Sequence, residues 1–167
     1  WICESMIIDG SYNWWYLSIR EGITSMRSFL HAYRIIFFLG DMRELWENSQ
    51  DMHHKIAKDI LEILPHDGDV SFFLVGPMMR DWVAPILTSS YVVESGLSSR
   101  ELGQRIRQSI EREKKPTIIY AKWSQNTIFI EEGLKYLLDN PRDEKRLTRQ
   151  SQSWMEKKEI FFKSLNW

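Results

Sequence analysis

The sequence predicts a three-layer αβα domain, with a parallel sheet of about four to five strands between two layers of helices and a helical tail at the C-terminus. Three observations carry this. Tyr33 to Asp41 and Val70 to Pro77 are continuous apolar runs, rich in β-branched and aromatic residues, each broken by glycine. Strands that alternate face water on one side, whereas unbroken apolar runs mark strands covered on both faces, as in parallel sheets. Between them, from about Arg43 to Leu64, lies a polar segment with Ile56, Ile60, Leu61 and Leu64 on one helical face, stopped by Pro65-His66-Asp67-Gly68. Strand, helix and strand at this length form one βαβ unit, whose crossover is almost always right-handed.

The remaining elements follow in order. Met6-Ile7-Ile8 ends a first strand that begins near Trp1 and stops at Asp9-Gly10-Ser11. From Trp14 to about Leu30, the apolar positions Trp15, Ile19, Ile23, Met26 and Leu30 recur at helical spacing. Gly22 sits inside that segment at a cost of about 1 kcal/mol, and could split it. Met78 to Val93 has no clear pattern; Pro85 interrupts any helix, and Tyr91-Val92-Val93 could form a short extended piece. Ser98 with Glu101 is a capping-box start for a helix bearing Leu102, Ile106 and Ile110, closed by Lys114-Lys115-Pro116. Thr117 to Ala121 is a further buried strand. Ile130, Leu134, Leu137 and Leu138 mark a helix ending at Asn140-Pro141. Leu147, Trp154 and Phe161, spaced by seven, predict an amphipathic helix over Asp143–Leu165. The expected organisation is an α/β domain over residues 1–141 with the helix of residues 142–167 packed on it.

Composition narrows the function. A chain of 167 residues with 43% hydrophobic content can bury one real core. A net charge of -1 disfavours a dedicated nucleic-acid binder, which needs a basic surplus or face. The single cysteine, Cys3, excludes an intramolecular disulfide and a multi-cysteine metal site. No apolar stretch reaches the roughly 20 residues that span a bilayer, and no signal peptide is visible. These features point to an intracellular, cytoplasmic protein without membrane attachment, and the missing initiator Met to a fragment or processed chain. Eight tryptophans suit core and rim, or a surface that docks a protein partner.

In parallel α/β sheets, ligands bind beyond the carboxyl ends of the strands, where the strand order reverses. That rule selects Asp9-Gly10-Ser11, Gly40-Asp41, Gly76-Pro77 with Arg80 and Asp81, and Lys122-Trp123-Ser124 with Asn126.

The central unit, with Ile35 to Asp41 followed by Phe72 to Pro77, resembles the flavodoxin-like SGNH (GDSL-like) hydrolases, whose third block ends a strand in Gly-x-Asn-Asp. The resemblance implies Ser11 as nucleophile in a permuted Asp9-Gly10-Ser11 block, Gly22 as an oxyanion-hole glycine, and Gly40 with Asp41 as the third block. Met42 and Arg43 stand where the block's asparagine is expected, and no histidine follows His66. A serine hydroxyl needs a base to take its proton. Asp51-Met52-His53-His54 has the Asp-x-x-His spacing but falls on the central helix, where both histidines read as exposed. Met6 to Ser11 with Asn13 is also similar to the first strand of the PIN and NYN nucleases. That resemblance implies Asp9, Asp41 and Asp81 as ligands of Mg²⁺ or Mn²⁺. The lost histidine favours a third reading: a catalytically degenerate SGNH-like module that serves assembly with a protein partner and needs no cofactor. The esterase using Ser11 and the metal-dependent nuclease are its alternatives.

Overall fold

The computed structural model describes residues 5–10, 16–43, 45–122 and 128–165. Five parallel strands form one sheet: β1 (Met6–Asp9), β2 (Arg34–Gly40), β3 (Val70–Val75), β4 (Val92–Gly96) and β5 (Thr117–Lys122). Their order across the sheet is β1-β5-β2-β3-β4. The unalternated runs are the interior strands. Every residue of β2, β3 and β5 is buried, whereas β1 and β4 lie at the edges and are partly exposed.

The helices are α1 (Tyr16–Arg27), α2 (Ser49–Ile63), α3 (Ala84–Leu87), α4 (Ser99–Glu113), α5 (Ile130–Leu134) and α6 (Gln152–Ser164). The connections β1→β2, β2→β3 and β3→β4 run one way across the sheet, and β4→β5 runs back. Right-handed crossovers therefore place α1, α2 and α3 on one face and α4 on the other. The core divides accordingly. Ile35, Phe37, Leu39, Phe72, Leu74, Ile118 and Tyr120 pack with α1 and α2. Ile36, Phe38, Phe73, Val75, Ile119 and Ala121 pack with α4 and α5. Phe37 and Phe72, opposite each other in the ladder, stack with centroids 5.1 Å apart.

Several local readings are adjusted by tertiary packing. The patternless segment after Pro77 is helical: Met79–Val83 winds as a π-helix that leads into α3, with Pro85 in the first turn of α3. Proline gives this helical run no N–H, and it stands at the junction where the wider π turn gives way to α3. Ser98 caps α4 by accepting from the Glu101 amide, and Lys114 ends it in a left-handed conformation (φ 51°). Gly103 of α4 faces Gly133 of α5 so closely that a Cβ would strike the opposing backbone. The tail is shorter than its seven-residue stripe suggests. A 3₁₀ segment, Pro141–Arg146, precedes α6, and the buried side chains of α6 are Lys158 and Phe162. No helix among the described residues is long and apolar enough to cross a membrane.

A candidate ligand site at the carboxyl edge of the sheet

β5 and β2 are neighbours whose chains leave in opposite directions, toward α5 on one face and α2 on the other. This is the position where doubly wound sheets open a crevice at their carboxyl edge. Lys122 ends β5 there. Its side chain is 5% exposed, and its Nζ donates to the Gly10 carbonyl at 3.1 Å, just beyond β1. Burial pulls the Lys122 ammonium below the usual lysine range, and the nearby Asp9 carboxylate opposes that shift. Tyr120, two residues earlier on the same face, is 6% exposed and directs its hydroxyl toward α1. Burial pushes that hydroxyl up to about 12, so it is a donor at neutral pH. Lys122 Nζ and Tyr120 Oη lie 3.4 Å and 3.6 Å from the point where a Gly10 Cβ would stand.

One strand further on, Asp41 is fully buried at the end of β2. Its Oδ1 accepts from the Met79 amide at 2.8 Å, fastening β2 to the start of the π-helical segment, while Oδ2 has no hydrogen-bond partner. Burial raises the Asp41 carboxyl, and the backbone amides of Met79 and Met78 beside it pull the other way. The carboxylate occupies the space that a side chain at position 76 would need. Gly76, at φ 110°, is required there on both counts. Next along the chain, the Met42 amide donates to His53 Nε2 at 3.0 Å, and His53 Nδ1 donates to the Ser49 carbonyl at 2.6 Å. The imidazole uses one nitrogen as acceptor and the other as donor, so it is neutral. Burial lowers its basicity accordingly. Trp82 meets it edge-on at 5.5 Å.

The sequence-derived candidates fall unevenly on this edge. Asp9, Gly40 and Asp41 are at strand ends as expected. Ser11 lies outside the described residues, as do Asn13, Trp123, Ser124 and Asn126. Gly22 is inside α1 and gives no open backbone for an oxyanion: a Cβ on it would collide with the Tyr120 hydroxyl. Asp81 is exposed and bound by Arg80 through two bonds of 2.7 and 3.0 Å, which hold its carboxyl below the usual range. Among the described residues no three His, Cys, Asp or Glu side chains gather to hold a metal, so Asp9, Asp41 and Asp81 form no metal centre. His53, read as exposed, is fully buried. The signal for it was its place one turn before Ile56 and Ala57 on the buried face of α2.

No protein-family model matches the sequence, and no curated protein is matched by it. Solved structures do match. MurF from Acinetobacter baumannii superimposes with TM-scores of 0.61 and 0.55 in two crystal structures, at 16% and 17% identity over 84% and 82% of this chain. MurF ligase from Thermotoga maritima in complex with ADP matches with a TM-score of 0.57, at 17% identity over 86% of this chain. The fold is shared with MurF ligases. The chain spans under a third of the length of these enzymes: 28%, 29% and 27%.

The likeness to MurF corrects the family readings. The neighbours are ligase domains rather than SGNH (GDSL-like) hydrolases or PIN and NYN nucleases. The degenerate SGNH-like module, the Ser11 esterase and the Asp9/Asp41/Asp81 nuclease all lapse with that correction. The third-block likeness had a physical source: any buried parallel strand ending in Gly-Asp before a helix looks alike, and here Asp41 is spent on capping the Met79 amide. The expectation of no cofactor, with Mg²⁺ or Mn²⁺ reserved for the nuclease, falls with the family readings it rested on; of the matched ligases, the one from Thermotoga maritima is in complex with ADP.

Proposed function

We propose that this chain is a domain of a MurF-like ligase, using its carboxyl edge to contact an adenine nucleotide or the substrate joined with it. The observation that supports this reading most is the charged, nearly enclosed Lys122 at the β5–β2 crossing point, in a fold shared with a ligase that carries ADP. The chain's own residues do not fit a complete metal–nucleotide site. No glycine-rich loop ending in Lys-Ser or Lys-Thr occurs in the sequence, and no trio of metal ligands occurs among the described residues. The role that fits is one wall of a site completed by further ligase domains. A wall of this kind positions and neutralises an anionic group in a low-dielectric crevice, where a fixed ammonium acts more strongly than it would in water.

Saturation-transfer NMR with ADP as probe tests the reading. Transfer to the adenine and ribose protons at millimolar ADP, abolished by excess ATP, is the expected result. Absence of transfer in folded protein would count against a nucleotide-contacting domain.

A further inference from the structure

We propose that His53 is a proton-sensitive pin: neutral, it fixes the turn by which the chain leaves β2 at the carboxyl edge of the sheet, and protonated, it releases that turn. The inference deepens the ligase-domain reading, and only its consequence for nucleotide contact rests on that reading.

Three bonds hold the turn. The Asp41 amide donates to the Val75 carbonyl at 3.1 Å, which ties it to β3. Asp41 Oδ1 accepts from the Met79 amide at 2.8 Å, which ties it to the π-helical segment. The Met42 amide donates to His53 Nε2 at 3.0 Å, which ties it to α2. A protonated carboxyl can still accept at Oδ1, so the second bond survives acid. A protonated imidazole has two donors and no acceptor, so the third does not. Because the Met42 amide can only donate, Nε2 accepts, and Nδ1, 2.6 Å from the Ser49 carbonyl, carries the proton. A second proton on Nε2 would set two donors face to face. Neither could turn to water there, since His53 is fully buried and Met42 is 1% exposed. Protonation of the ring and the bond to Met42 therefore exclude each other.

No described carboxylate pairs with the ring to hold an added charge. At the end of β2 the Asp41 carboxylate is turned to the Met79 amide, and Arg43, a cation, follows Met42. On the π-helical segment Trp82 packs against the imidazole, and Asp81 is bound by Arg80. Burial lowers the basicity of His53, the Ser49 carbonyl opposes that, and His54 on α2 adds to it. Release accordingly comes below the ordinary imidazole value of about 6.5.

The test follows the whole chain by NMR from about pH 7.5 to about pH 4.5. Ring nitrogen shifts should show the proton on Nδ1 at the upper end and both nitrogens protonated at the lower. Over that range the protection of the Met42 amide against hydrogen exchange, corrected for the intrinsic rate, should fall at least about tenfold, the worth of one hydrogen bond. The neighbouring Asp41 amide, bonded to Val75, should stay protected. In His53→Gln, which takes up no proton, Met42 protection should not follow pH; His53→Asn replaces it if it does not fold. A ring that stays neutral throughout, a ring that protonates with Met42 still protected, or joint loss of Met42 and Asp41 protection would overturn the pin. ADP should lose at least about threefold more affinity on acidification with wild type than with His53→Gln, a comparison that cancels the titration of its own phosphates. ADP that binds neither protein, while Met42 responds as expected, would overturn the ligase reading and leave the pin standing.

Discussion

His53 and Asp41, which bond on either side of the end of β2, put opposite pH dependences into one edge of the sheet. His53 is held neutral by the Met42 amide and the Ser49 carbonyl, and its basicity is lowered by burial. The unfolded chain therefore takes up this proton more readily than the fold does. The stabilisation is present above the ordinary imidazole pKa of about 6.5 and is lost as pH falls through the lower folded value. Urea melts should show wild type losing more stability than His53→Gln between pH 7 and pH 5. Asp41 runs the other way. Burial raises it, so its contribution is fully present below the ordinary carboxyl range and is lost as pH rises through the folded value. Asp41→Asn, which keeps an acceptor for the Met79 amide, should gain on wild type as pH rises from 4 to 7. Asp41→Ala strands that amide and should cost about 1–3 kcal/mol at any pH. The hydrogen bonds of His53 and Asp41 were not legible in the sequence, although the place of His53 on the apolar face of α2 signalled its burial. Both depend on partners 11 and 38 residues away.

At the scale of elements, the βαβ unit was fully legible because β2 and β3 are long, apolar and unalternated, and each residue in them is buried. Ile36→Asp and Phe73→Asp should each prevent folding, by placing a carboxylate in the cluster under α4 at a penalty of several kcal/mol. Circular dichroism checks this, and a near-native melt for both would contradict the burial. The tail was legible only in part. Its apolar stripe pointed to Trp154 and Phe161, but the side chain that penetrates deepest is a lysine. Lys158 Nζ meets Glu131 at 3.1 Å, Glu132 at 2.9 Å and the Arg149 carbonyl at 2.8 Å, with no exposure to solvent. Hydrophobic periodicity has no means of finding a buried ion pair. Removing Lys158 leaves the fully buried Glu131 with Arg149 at 3.7 Å, while Glu132 keeps Lys135 and Arg100, so Lys158→Met should cost about 3 kcal/mol and open α6 to limited proteolysis. Unchanged protease resistance would show that the aromatic contacts of Phe129 with Trp154 and Phe161 hold α6 instead.

For the molecule as a whole, the sheet class could be read from the sequence, but the strand order could not. Nothing local tells β5 to insert between β1 and β2; that follows from which buried faces match, as where Ile118 pairs with both Met6 and Ile35. The order matters because it creates the crossing point at which Lys122 stands. It also leaves a second basic group at the opposite, amino edge, where Arg34 and Lys115 gather Asp69 and Glu113. The two edges give the ligase-domain account its most direct test: mapping the backbone amide shifts of the whole chain on titration with ADP. The account predicts shifts centred on Gly10, Met42 and Lys122 at the carboxyl edge. Shifts centred on Arg34 and Lys115, or spread over the helical faces, would contradict it.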